Sequence, residues 1–291
     1  MPLPADLPIV DHHCHLSPHA GGVRAAARFR SAGGTHLFLT TQNYAADLPL
    51  ELESYRRQFE VTEALAARIR GETGVVAYCV VAPYPIDLLG AADRLGIPTA
   101  VALHRAALEL AGRWVRDRRA VAIGEVGRPH FEVSDPAVHR ASEELFDLAL
   151  SVAKDSDCPA IVHCEDLNEE EIVRLDRRAR ASGLPPRRLV KHYARARFPA
   201  GWPEHLTPSY LARRDMVLEV LEDPGPWFLE TDFLDDPNRP GAVLDIATIP
   251  RRAMWIAGAH PEKLERLRIP FERAIREVYG WSPEPEERSV A

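Results

Sequence analysis

The sequence predicts an α/β chain, a TIM-like (β/α)8 barrel. Three observations predict it. Short apolar runs alternate with longer stretches of helical periodicity, the pattern of parallel strands joined by crossover helices. The runs are continuously apolar, as strands covered on both faces must be. No GxGxxG or P-loop pattern follows any run, which an open doubly wound sheet would favour. At 291 residues and 46% hydrophobic, the chain suffices for one such domain over residues 1–281.

Seven runs stand out in order: IVDHHCH (9–15), THLFLTTQ (35–42), VVAYCVVA (75–82), AVAIGEVG (120–127), PAIVHCE (159–165), RLVKHYA (188–194) and WFLETDF (227–233). A weaker run, HLTPSYL (205–211), lies between the last two and carries Pro208, so a distortion is expected at the seventh strand. Segments 51–71, 142–157 and 168–183 repeat apolar residues at three- and four-residue steps, with Gly71 and Gly183 placed where helices stop. Pro and Gly cluster in EDPGPW and DDPNRPG, which read as loops, and 282–291 as a frayed polar tail.

Composition bounds the function. No run of 18 apolar residues offers a transmembrane helix. The opening MPLPADLP lacks the basic and apolar stretches of a secretory signal. Cys14, Cys79, Cys158 and Cys164 show no CxxC spacing and read as thiols of a reducing compartment, so a cytoplasmic protein is expected. The formal net charge is −7, which argues against broad affinity for duplex DNA. Trp114, Trp202, Trp227, Trp255 and Trp281 show no stacking pattern.

Candidate chemistry gathers at the run ends. In IVDHHCHLSP, strand alternation puts Asp11, His13 and His15 on one face and His12 and Cys14 on the other. Alone, this is equally a strand end with surface histidines. But active sites of parallel barrels lie at the C-terminal strand ends. There the fourth run brings Glu125, the fifth His163, the sixth His192 and the last Asp232. Chance supplies one or two metal-ligand types at such positions, not six. Neutral imidazole with carboxylate suits zinc, manganese or a similar divalent ion, which would supply an activated water for hydrolysis.

The order HxH, EVG, IVHCED, KHYA, ETD resembles the TatD-like branch of the amidohydrolase (urease-type) superfamily. The resemblance runs from Asp11 to FERAIREVYGW, ending at residue 281, and is nearest to a mainly archaeal subgroup of predicted metal-dependent hydrolases. It implies a TIM-like barrel holding two divalent ions, zinc or manganese before magnesium. His13 and His15 would bind the first and His163 and His192 the second. Glu125 would bridge them, and Asp232 would sit on the first ion and act as general base. Asp11 would orient a ligand from behind. Where the family carries a leucine and an Asp-Tyr pair after the glutamate, this chain has RPHF; Lys191 and Tyr193 flank the sixth-strand histidine, and the stretch after ETD is richer in acid and arginine. The related phosphotriesterases bridge with a carbamylated lysine, a place Glu125 takes here; Lys191 points away and suits a structural ion pair.

Arg128, His130, Arg195 and Arg197 follow two ligand strands and would clamp phosphate or carboxylate. Asn43 and Tyr44 would touch substrate, whereas His104 and His139 fall in helical stretches and read as structural. The expected activity is hydrolysis of phosphodiester bonds, deoxyribonuclease-like or on small phosphodiesters, with a small anionic substrate or a nucleic-acid end as partner and no strong duplex or membrane binding. The alternatives are an amide, lactone or ester hydrolase and, more remotely, a metal-binding protein without turnover.

Overall fold

The computed structural model describes residues 2–45, 47–195, 197–198, 203–236 and 243–283. The elements run β1 (Val10–His15), α1 (Gly22–Ser31), β2 (His36–Thr40), α2 (Leu52–Thr73), β3 (Val76–Val81), α3 (Asp87–Leu95), α4 (Ile97–Arg116), β4 (Ala122–Gly127), α5 (Pro136–Asp155), β5 (Ala160–His163), α6 (Glu169–Ala181), β6 (Leu189–Ala194), β7 (Leu206–Leu211), α7 (Arg214–Val220), β8 (Phe228–Glu230), β9 (Phe233–Leu234), α8 (Thr248–Ala259) and α9 (Ala274–Tyr279). Every strand pairing is parallel, and each strand from β1 to β8 pairs with the next except β8, which continues as β9. β9 pairs with β1. The two short strands are the halves of WFLETDF: one half bonds β7, the other bonds β1, and the ring closes through a single interrupted eighth strand. The TIM-like barrel is the fold.

The interruption falls in the eighth strand, not the seventh. HLTPSYL is an ordinary inner strand paired on both sides, with Pro208 opposite Lys191 at the last paired position before the β6 ladder slips. The break comes at Asp232, whose φ of 47° is left-handed and cannot continue an extended run. There a side chain closes the seam: the Thr231 amide donates to Asp11 Oδ1 at 3.0 Å and its hydroxyl to Asp11 Oδ2 at 2.5 Å. The Asp232 amide then donates to the His13 carbonyl at 3.0 Å.

Three strands carry one extra residue against a neighbour: β1 between Asp11 and Cys14, β4 between Gly124 and Val126, and β6 between Lys191 and Ala194. These bulges upset strict alternation. Phe38 and Thr40 share one face of the regular β2–β3 pair. His12 packs on Phe38 (centroids 4.8 Å) while His13 Nδ1 meets Thr40 Oγ1 at 3.4 Å. The bulge therefore turns both histidines inward, and the expectation that His12 shares the Cys14 face is corrected. His12 stacks on Phe228 and bonds the Tyr279 hydroxyl at 2.8 Å. With Phe38, Tyr78 and Trp281 these rings fill the barrel floor, so the C-terminal FERAIREVYGW segment plugs it from below.

Helix boundaries follow local chemistry. α2 runs through Gly71 to Thr73 and stops where Gly74 takes a φ of 73°. α5 starts earlier than its apolar pattern, because Asp135 caps it ahead of Pro136. α6 opens on a capping box of Asn168 and Glu171. All four cysteines are buried thiols. Among the described residues, no helix is long and apolar enough to cross a membrane. Trp202 and tail residues 284–291 lie outside the described residues.

Candidate metal centre

Glycines set the floor of the site. In AIGEVG a Cβ at Gly124 would lie 2.6 Å from Ile161 Cβ, and one at Gly127 2.4 Å from the His163 carbonyl oxygen. Only glycine allows β4 to bulge against β5 this closely, and Glu125 is thrust inward between them.

The six expected ligands converge there. His13 Nε2 and His15 Nε2 stand 3.1 Å apart, and each lies within 3.8 Å of Asp232 Oδ1. Glu125 lies between the histidines, with Oε1 also 3.8 Å from His13 Nε2. Oε2 lies 3.6 Å from His15 Nε2, while Oε1 lies 3.0 Å from His163 Nδ1 and 2.6 Å from His192 Nε2. Among the described residues three overlapping groups of donors result: His13–His15–Asp232, Glu125–His163–His192 and, sharing a histidine with each, His13–His192–Glu230.

The donor chemistry suits divalent cations. Burial pushes His13, His15 and His163 below the ordinary imidazole value, which favours the neutral rings that can bind a cation. Burial acts the same way on His192, but the Glu125 and Glu230 carboxylates override it and raise this imidazole to about 10. Burial would also raise Glu125, yet His192 and His163 hold it well below the carboxylate range. Asp232 is pushed well above that range by burial, with His192 opposing. Glu125, Glu230 and Asp232 thus crowd His192 in a largely buried cluster, and divalent ions on the His13–His15–Asp232 and Glu125–His163–His192 groups would supply positive charge there.

Two outer nitrogens have hydrogen-bond partners, while His15 Nδ1 and His192 Nδ1 are buried without one among the described residues. His13 Nδ1 faces Thr40, and His163 Nε2 faces His130 Nδ1 at 3.1 Å and the Tyr84 hydroxyl at 3.5 Å. His192 Nδ1 lies 3.6 Å from Glu230 Oε1, which also accepts from the Tyr193 amide at 2.6 Å. Sequence reasoning passed over Glu230; its signal was its position two residues before Asp232, on the same strand face. Asp11, expected to orient a ligand from behind, accepts from the His13 amide at 3.3 Å and from the amide and hydroxyl of Thr231, and so meets the ligand strand through its backbone and not through an imidazole. Among the described residues Lys191 makes no ion pair: its ammonium donates to the carbonyls of Cys164 and His192.

The centre opens into a cavity of about 700 Å³ lined by His130, Tyr84, Asp87, Asp166, Tyr193 and Arg195, among others. His130 and Arg195 reach it as expected. Arg128 does not. Its guanidinium is buried, grips Glu165 through Nε at 2.9 Å and through a second nitrogen, and meets Glu143 at 3.2 Å. Arg197 pairs with Asp223 at 3.5 Å, away from the lining. Asn43 lines the cavity but spends its carboxamide on Gln58, Ala45 and Asp47, and Tyr44 bonds Thr62. His104 is buried between Tyr55 and Ala100, a structural place; His139 lies in α5. A wider groove of about 940 Å³ beside α1 and α8, lined by Arg24, Arg28 and Arg251, holds none of the donor groups.

The chain as a whole is similar to known proteins. Residues 10–280 match the family described as TatD related DNase. The uncharacterized protein MJ1127 of Methanocaldococcus jannaschii is 32% identical over 252 residues, covering 84% of this chain and 86% of its own. YJJV, a TatD homologue from Escherichia coli K12, superimposes with a TM-score of 0.58 at 17% identity, covering 94% of this chain and 98% of its own. A mutant PTE-like lactonase from Deinococcus radiodurans gives 0.54 at 12% identity, covering 96% and 98%. The family match takes in every ligand strand from β1 to the interrupted eighth, together with the C-terminal plug, and on that span the chain belongs to the TatD-related, metal-dependent hydrolase family.

Proposed function

We propose that this chain is a two-metal hydrolase of phosphodiester bonds, acting on small phosphodiesters or nucleic-acid ends. One observation carries the reading: the Glu125 carboxylate lies between His13 and His15 on one side and His163 and His192 on the other, as a ligand bridging two cations would. His13, His15 and Asp232 would hold one ion, His163 and His192 the other, with zinc or manganese favoured by the donor set. When bound, such ions would supply an activated water and polarise the scissile oxygen. Asp232 would take the proton: its carboxylate lies within 3.8 Å of His13 Nε2 and His15 Nε2 and lines the cavity. Arg195 and His130 hold the substrate's anionic oxygens from the cavity wall.

A second reading has its own support. Arg128 and Arg197 are committed to carboxylates and Arg195 also pairs with Asp166 at 3.3 Å, so the wall offers fewer anion contacts than the four expected, and a neutral lactone, ester or amide is less disfavoured. The deciding experiment combines elemental analysis of the reconstituted protein with a side-by-side assay. Aryl phosphodiester, single-stranded oligonucleotide, duplex, lactones and amides would each be tested with zinc or manganese. Two ions per chain and phosphodiester turnover are expected. Folded protein that takes up no metal would remove the centre, and activity confined to lactones or amides would promote the second reading.

A further inference from the structure

His163 turns Nδ1, not Nε2, toward the donor group it shares with Glu125 and His192. A neutral imidazole has one lone pair and one N–H. With the lone pair on Nδ1 facing a cation, the proton sits on Nε2, and that N–H points at His130 Nδ1, 3.1 Å away. His130 is exposed on the loop after β4, where its ring also stands edge-on to Phe131. Among the described residues its Nδ1 meets nothing polar except His163. The other group near His163 Nε2, the Tyr84 hydroxyl, is farther, at 3.5 Å.

We propose that His130 is a positioning residue for the second cation: it accepts the Nε2 proton of His163, fixes that ring's tautomer and angle, and so sets the affinity of the Glu125–His163–His192 group alone. The chemistry is the outer hydrogen bond that keeps a ligating imidazole in place, supplied here by a second imidazole where a carboxylate or carbonyl is the usual acceptor. His130 stands in the RPHF stretch, so the role arises from this chain's own loop.

The inference rests on the reading of the site as a two-cation centre, and cobalt titration separates the two. The unmodified chain, followed by calorimetry and by the visible bands of bound Co²⁺, should take up two ions. No uptake would sink the metal reading itself and leave His130 with nothing to position. Given two ions, His130→Phe should weaken one binding step by roughly 10–100-fold and leave the other within about threefold. His130→Asn, whose side-chain oxygen can reach the place of Nδ1, should restore that step and its cobalt spectrum. Equal affinity in the Phe variant overturns the proposal, as does weakening of both steps together. Loss in Tyr84→Phe but not in His130→Phe would assign the acceptor to Tyr84 and overturn it equally. His130 is exposed, so the Phe variant should fold; melting curves of metal-free protein check this.

Discussion

At the scale of single residues, burial is the lever that prepares the chemistry. Asp232→Asn keeps the shape of the first donor group but cannot take a proton. Turnover is expected to fall roughly 10²–10⁴-fold with metal content largely kept, and unchanged kcat would remove Asp232 from the mechanism. Asp87 shows the same lever without a partner. It lines the cavity, and its carboxyl, raised by burial to about 7 from 3.8, meets no cation or hydrogen-bond donor among the described residues. Its folded value lies above its unfolded one, so folding favours the protonated form. Its contribution to stability is whole below about pH 4 and is lost as pH climbs through 7. Asp87→Asn should therefore match the parent near pH 4 and melt above it at pH 8. A difference independent of pH would show that the carboxyl does not titrate there.

At the scale of elements, the ligands sit where the strands depart from regularity. His13, Glu125 and His192 each lie in a bulge, and Asp232 marks the break between β8 and β9. Each departure re-aims a side chain that plain alternation would place less well. The β4 bulge is the most tightly constrained. Gly124→Ala should cost about 1–3 kcal/mol through overpacking against Ile161 and, on the proposed two-cation reading, weaken metal uptake through Glu125. A urea melt with no loss would contradict the contact. These departures also mark what the sequence could and could not disclose. Strands, helices and ligand order were legible, because apolar runs and metal-ligand residues are local features. The bulge in β1 was not, since pleat counting has no term for an inserted residue, and His12 was assigned to the wrong face. The partners of Arg128 were hidden for another reason: Glu143 and Glu165 come from α5 and from beyond β5, and only the fold brings them to it. Pro208 misled because proline's missing donor warns of a disturbed strand without saying whether a neighbour needs that donor.

At the scale of the whole molecule, the acidic balance sets what the centre can hold at a distance. A net charge of −7 gives a polyanion little reason to dwell outside the cavity. Binding of labelled duplex at 150 mM salt should stay weaker than about 10⁻⁵ M, within the usual non-specific range, and tight, salt-sensitive duplex binding by fluorescence anisotropy would contradict this. The split eighth strand has a consequence on the same scale. Between β1 and β8 the ring is fastened less by a continuous ladder than by one carboxylate clasp, Asp11 on Thr231. Deuterium exchange should register this as a hinge line. The amides of Thr231 and Asp232 should be protected while the clasp holds, and in Asp11→Ala they should exchange much faster while the β2–β3 amides keep their rates. The ring would then breathe along the line where its first and last strands meet, which is also the line that carries His13 and Asp232.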